Sequence, residues 1–305
     1  LVVIKNRSGT QGTKWTNTTR GATKVLQSAT TSGESTDTGG VTAFGTDGFT
    51  VGTDAGYNGS TNDMIAWCWR ANGGTTSTNT SGTITSTVQA NTKGGFSIIT
   101  YTGTGTNSTI GHGLTKAPDF YIVKNASSGT ENWTCYHAGI TETHYLTFNT
   151  TAIASDNNTF WNDTAPTSTV ISLGTNARCN GSTNTMVGFA WHSVEGYSKF
   201  DKWEANANNN GSFVYTGFRP RLVFIKSADT VAPWVVWDTE RPTSNKANNA
   251  LAWNASSTEA DYTGYPIDFH ANGFKLRTSN ATVNAAGTWV FGAWGDVPFK
   301  YNNVF

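Results

Sequence analysis

The chain has 305 residues, enough for two or three domains with cores of their own. Only 13% of them are charged, and 20 acids balance 20 bases, which removes the long-range field that a non-specific nucleic-acid or anionic-membrane binder needs. Aromatics at 12%, including 12 Trp, exclude a disordered chain despite Thr/Ser/Asn/Gly-rich stretches such as 73–87, and no apolar run approaches the ~20 residues of a membrane-inserted helix.

The first element is Val2-Val-Ile-Lys5, an apolar strand that ends on Lys and is followed by Trp15. The opening at Leu1, in mid-strand and without Met, predicts a gene product that starts upstream. Phe49-Thr-Val-Gly-Thr53 reads as a second strand, Asn58-Gly-Ser-Thr-Asn62 as a turn, and Met64–Trp69 as a closing strand. Residues 1–72 therefore form a truncated module. A polar link, 73–93, follows, in which Ile84-Thr-Ser-Thr-Val88 is a candidate strand of the next unit.

The same elements return in order over 94–196. Gly95–Gly103 is an opening strand, and a Gly111-His-Gly-Leu hairpin precedes Pro118. Tyr121-Ile-Val-Lys124, Trp133, Leu146-Thr-Phe148, Ile171-Ser-Leu-Gly-Thr175, Asn180-Gly-Ser-Thr-Asn184 and Met186–Trp191 come next. A third unit spans 197–305. Asp201 to Glu204 reads as a solvated link into it, and Gly211–Gly217 matches the opening strand. Tyr101 to Pro118 is 17 residues and Tyr215 to Pro220 only 5, so this unit is read as lacking the hairpin. Val223-Phe-Ile-Lys226, Trp237, Phe274–Thr278 and Trp289–Trp294 complete it. From the second strand to the closing Trp the spacing is 20 in all three units (49 to 69, 171 to 191, 274 to 294). A spacing held constant three times is the mark of a structural repeat.

The strands are short, rich in β-branched and aromatic residues, and separated by Gly, Asn and Thr clusters, with no capped helical stripe between them. The expected fold is all-β: tandem small β-sandwich modules, jelly-roll or lectin-like.

Trp15-Thr-Asn-Thr-Thr-Arg-Gly-Ala-Thr-Lys-Val-Leu26, Trp67-Cys-Trp-Arg-Ala-Asn-Gly-Gly74, the run 94–124 with its Gly111-His-Gly-Leu-Thr-Lys-Ala-Pro118, and Pro298-Phe-Lys-Tyr-Asn302 resemble a repeat module of marine phage virion proteins, the tail-fibre-like and other structural proteins of cyanophages and their relatives. The resemblance covers nearly the whole chain. It implies a virion fibre, spike or appendage with lectin-like modules, displayed extracellularly on the outer surface of the particle, and it supplies no catalytic residue.

The candidate sites are few. The closing Trp69, Trp191 and Trp294 recur and are expected in the core, as are Trp15, Trp133 and Trp237. An indole face stacked on a sugar is the functional alternative. For that role the candidates are Trp133, Trp161 and Trp253, with His112 in the hairpin. Recognition is expected in the variable loops 103–117 and 138–165.

Asp119, Glu131, Glu142, Asp156, Asp163 and Glu195 are scattered, and none recurs in every unit, so no catalytic carboxylate pair is assigned. No nucleophile elbow, metalloprotease helix or phosphate loop is present. Cys68, Cys135 and Cys179 fit small core residues rather than disulfides or a zinc site, and no metal or cofactor is expected.

The leading expectation is a non-enzymatic virion protein that adheres to host surface polysaccharide. Its expected partners are copies of itself, as a trimer, and other virion proteins. Tandem sandwiches would extend its reach. The alternatives are a purely architectural capsid-decoration or filament subunit, and a surface polysaccharide depolymerase.

Overall fold

The computed structural model describes residues 1–242 and 244–296. The Pro298–Asn302 motif lies outside the described residues. The fold is all-β, built from sandwich-like units, with helices of at most four residues among the described residues.

Each unit is organised around an apolar strand that carries a Lys: Val2–Asn6, Phe120–Asn125 and Leu222–Ser227. All three are buried along their whole length, which explains why they alternate so little in sequence. On one side each pairs antiparallel with a return strand (Lys14–Thr16, Thr134–His137, Val235–Asp238). On the other it pairs with a closing strand (Met64–Cys68, Thr185–Trp191, Gly287–Trp294). An outer strand follows the return strand: Lys24–Gln27, His144–Thr147, Leu251–Ala252.

In units two and three the closing strand has an opening strand on its far side, Phe96–Thr102 and Ser198–Ala205. Asp201–Glu204 is therefore part of a strand, where the sequence suggested a link. The segment Gly211–Gly217 is not the opening strand of unit three. It contributes Phe213–Tyr215 to the second layer, paired with Gly273–Leu276. Its counterpart in unit two is Ser108–Gly111, paired with Val170–Leu173. With that register no hairpin is missing from unit three. Within the polar stretch 73–93, Ser77–Asn79 and Ser86–Asn91 extend the sheet of unit two beyond its opening strand.

A second layer covers one face of each sheet and encloses a small core. In unit three that core holds Val223, Ile225, Phe274, Leu276, Trp289 and Phe291. In unit two it holds Tyr121, Val123, Ile110, Ile171 and Leu173. A one-turn helix links the second layer to each closing strand: Ala55–Asn58, Ala177–Asn180, Ala281–Asn284. Its N-cap is Asp54, Asn176 or Asn280, whose side chain accepts from a backbone N–H of the first turn.

The opposite faces of the three sheets meet in one shared core. Trp69, Trp191 and Trp294 touch pairwise, with ring centroids 5.9, 5.2 and 6.1 Å apart. Trp15, Trp133, Phe120, Phe148, Phe224, Trp234 and Trp253 pack around them. Truncating one such ring costs about 3–5 kcal/mol, so this axis dominates the stability of the body.

The units form a closed ring, because the same contacts recur at every seam. Lys124 Nζ donates to the Thr31 carbonyl, Lys226 Nζ to Thr151 and Lys5 Nζ to Ala255. Two residues past each Lys, the carbonyls of Ala126, Ala228 and Arg7 accept from the amides of Glu34, Ala154 and Glu259. Unit two thus reaches back to unit one, three to two, and one to three. Indoles do the same: Trp133 Nε1 donates to the Gln27 carbonyl and Trp234 Nε1 to Thr147. At the third seam Trp15 Nε1 donates to Ser28 Oγ, which donates to the Trp253 carbonyl. The tandem order therefore produces a compact pseudo-threefold body, not an extended string.

Candidate functional site

The candidate ligand residues of the sequence reading do not line a surface. Trp133, Trp161, Trp253 and His112 are 0, 1, 1 and 0% exposed. Trp133 and Trp253 belong to the shared axis, and Trp161 packs edge-on against Tyr121 in the core of unit two. His112 is a hairpin clasp: Nδ1 accepts from the Leu114 amide at 3.1 Å and Nε2 donates to the Thr167 carbonyl at 3.1 Å. Burial pushes its pKa down to about 4, so the ring is neutral. The physical reason for the correction is common to all four: rings placed next to strands whose two faces are both covered are enclosed.

A cleft lined by charged side chains lies instead at the seam between units two and three, with a volume of about 760 Å³. One wall is the turn Ala138–Gly139, the start of the second variable loop. His137 positions it, accepting the Gly139 amide on Nδ1 at 3.1 Å and donating from Nε2 to the Phe291 carbonyl of unit three at 3.0 Å. A Cβ on Gly139 would sit 3.0 Å from the Lys202 Cβ and 3.1 Å from Val290 Cγ1, so a larger residue would push this turn off the opening strand of unit three by a few tenths of an ångström. Burial holds His137 at about 4 as well.

The floor carries Asp119, whose Oδ2 accepts the Ser193 amide at 2.6 Å, and Glu195 lines the same cleft. Lys116, from the end of the first variable loop, also lines the cleft. The other wall is the opening strand, with Lys199, Asp201 and Lys202, and the Tyr215–Gly217 turn. Lys199 Nζ lies 3.3 Å from Asp201 Oδ2, donates to the Tyr215 carbonyl at 3.0 Å and sits 5.5 Å from the Tyr215 ring. Tyr215 is 58% exposed and Phe213, two residues earlier on the same strand face, 46%. Gly217, at φ +88, makes the turn that leaves Tyr215 standing at the rim.

Sequence reasoning missed Tyr215 because the Gly-Ser-Phe-Val-Tyr-Thr-Gly motif looked like an opening strand, whose aromatics are core residues. The signal that could have found it is the alternation Phe213, Val214, Tyr215, with only Val214 buried. Among the described residues no cluster of His, Cys, Asp or Glu is arranged to hold a metal, and no helix is long and apolar enough to cross a membrane. Cys68 is exposed, while Cys135 and Cys179 are buried, and all three are free thiols.

The arrangement offers an aromatic platform beside charged hydrogen-bonding groups of both signs in an open trough. A family model described as a domain of unknown function, DUF7483, matches residues 1–298. The chain belongs to the DUF7483 family. That single model runs across all three units, so the family domain is the closed ring rather than one sandwich. No curated protein matches the chain. Among solved structures, the crystal structure of the major capsid protein P2 from bacteriophage PM2 is similar at 12% identity, covering 65% of this chain and 96% of that one, with a TM-score of 0.21. A likeness at that score carries no weight for the fold or role of this DUF7483 member.

Proposed function

We propose that this chain is a non-enzymatic structural protein of a phage virion, displayed on the outer surface as part of a fibre, spike or appendage, and that it adheres to host surface glycans. The observation that carries the adhesive part is the cleft at the unit two–three seam. Tyr215 presents its ring to solvent there, with Lys199, Asp201 and Lys202 within the same trough. A pyranose offers an apolar face for stacking on an aromatic ring and hydroxyls for charge-assisted hydrogen bonds at its edge. The virion assignment rests on the resemblance of the Trp15–Leu26, Trp67–Gly74 and 94–124 motifs to marine phage modules.

The test is a glycan array together with binding to host cells, using the chain and Tyr215→Ala. Retention of specific glycans that Tyr215→Ala loses supports the reading. An empty array, with particles that attach through another protein, sinks the adhesive part. An image of the native particle decides the virion part. A purely architectural role is favoured by one observation: Ile153 and Val231, 43 and 72% exposed, stand on adjoining loops at the unit two–three seam, where a neighbouring subunit would cover them.

A further inference from the structure

Unit one has the same frame as the other two but not the same closure. Among the described residues its closing strand Met64–Cys68 pairs only with Val2–Asn6 and ends the sheet. The equivalent strands of units two and three lie between two partners. The difference shows in burial. Ala66 and Cys68 are exposed, while their counterparts Gly188 and Ala190, and Phe291 and Ala293, are buried. Trp69 and Leu1 exchange both backbone hydrogen bonds. By antiparallel alternation, the N–H and C=O of Met64, Ala66 and Cys68 therefore point to the open edge.

The second layer is open on the same flank. Among the described residues Phe49–Val51 pairs only with Val41–Phe44. Phe49 and Val51 are half-buried, while Phe274 and Leu276, at the same place in unit three, are 0 and 1% exposed under Phe213–Tyr215. Between the two open edges lies a groove of about 860 Å³, bordered by Leu1, Phe44, Phe49, Cys68 and Trp69. A third observation is independent of the edges. The last residue of each one-turn helix is Asn. Asn180 Nδ2 donates to the Gly174 and Thr106 carbonyls, and Asn284 Nδ2 to Thr278 and Asn208. Thr106 and Asn208 lie in the loops that follow the opening strands. Asn58 makes only the first of these bonds, to Gly52, and is exposed.

We propose that this flank of unit one is an acceptor groove for a donated β-strand pair of the opening type. Its first strand runs antiparallel to Met64–Cys68 and places alternate apolar side chains towards Trp69 and towards Phe49. Its turn supplies a carbonyl to Asn58, and its second strand returns along Phe49–Val51. The occupant is defined by what fills the equivalent places: Phe96, Ile98, Ile99 and Tyr101 with Ile110 in unit two, and Phe200 and Trp203 with Val214 in unit three. Main-chain pairing supplies affinity and the alternating side chains supply selectivity.

The test uses the whole chain. Leu222 occupies in unit three the place of Leu1, so residues 198–221 can be fused directly ahead of Leu1. Hydrogen exchange at Met64, Ala66 and Cys68 and alkylation of Cys68 are followed in the chain alone, in the fusion, and in a fusion whose apolar and polar positions are exchanged. The expected result is slowing of both readouts by about tenfold or more in the first fusion only. A synthetic peptide of residues 94–111 added in trans should give the same protection at saturation. Unchanged exchange and alkylation with both the fusion and the peptide overturn the proposal. So does concentration-dependent protection of the same amides in the unfused chain, which would assign the edge to a second copy. None of these readouts depends on glycan binding.

Discussion

Lys226 is 0% exposed, and burial pushes its pKa from 10.5 down to about 7. Its ammonium makes one hydrogen bond, 3.2 Å to the Thr151 carbonyl, which also accepts the Ala232 amide. Replacing it with Met keeps the apolar stem and removes the charge. A fall of that size corresponds to about 5 kcal/mol against the charged form, and solvent screening at the seam trims this to about 4 kcal/mol. The lost hydrogen bond returns about 1.5 kcal/mol, and no carbonyl is orphaned. At pH 6, where Lys226 is charged in both folded and unfolded chains, Lys226→Met should therefore stabilise the protein by about 2–3 kcal/mol. Between pH 7 and 10.5 the unfolded chain holds the proton and the folded chain has released it, so wild-type stability gains with pH from this group. The difference should shrink and reverse near pH 10, where the variant is the weaker by about 1–2 kcal/mol. Urea unfolding followed by Trp fluorescence at pH 6, 8 and 10 measures it. The difference between the two proteins cancels the thiols, which burial pushes up in the folded chain and which lose their protons more readily in the unfolded one. A variant that is weaker at pH 6, or a difference independent of pH, refutes the reasoning.

Lys124 occupies the same place but donates to three carbonyls, Thr31, Ser128 and Glu131, so Lys124→Met should destabilise at pH 6, opposite in sign to Lys226→Met in the same urea assay. Glu259 is buried beside Arg7 and Arg241, at 2.6 and 3.0 Å, at the seam that closes unit three on unit one. Burial alone would raise its pKa, but the two guanidiniums outweigh that and hold it at about 2. Glu259→Gln should cost about 1–2 kcal/mol, because the part-exposed Arg7 loses its carboxylate while the buried Arg241 keeps Asp238, read as a lowered urea midpoint. Stability from His112 and His137, both held near 4, should be lost as pH falls from about 6.5 through 4, by up to about 3 kcal/mol per ring. His137→Gln should flatten part of that acid limb in thermal unfolding. Trp191→Ala should cost about 4 kcal/mol by opening the axis against Trp69 and Trp294, seen as a fall in Tm.

The frame was readable because strand pairing constrains sequence at fixed offsets. The Lys strand and the closing Trp recur where they do because Phe120 lies opposite Trp191 and Leu222 opposite Trp294 in the same register. Register among the less constrained strands was not readable. Trp15 lies opposite Val3, and the residues in its place in the other units are Cys135 and Val236. Its apparent counterparts Trp133 and Trp237 are offset along the chain, and the residue that shares the role of Trp133 is Trp234. Trp237 instead faces the small core of unit three. A sequence match that counts Trp cannot see a two-residue shift, because a shift of two keeps the same face. The opening strand of unit three escaped for a related reason. In Ser198–Ala205 each face carries two charges, Lys202 and Glu204 on the face of Phe200 and Lys199 and Asp201 on that of Trp203, so no alternation shows, and the strand's place at the sheet edge leaves them access to solvent.

Closure into a ring changes what repetition can do for recognition. A homotrimer of one sandwich would offer three identical seams. Here the Trp axis and the seam contacts of Lys5, Lys124 and Lys226 are complete within one chain, so the frame needs no second copy. The three seams are then free to differ. One holds the Arg7–Glu259–Arg241–Asp238 network, with every carboxylate paired. Another holds the cleft under Tyr215. Among the described residues, unit one has an open flank where its siblings are closed. The buried frame fixes where the loops stand, and loop changes cost little because connecting segments lie at the surface. Any assembly that leaves this frame intact uses outer faces, and among the described residues Ile153, Val231, Phe213 and the strand edges at Met64–Cys68 and Ser198–Ala205 offer apolar or backbone groups there.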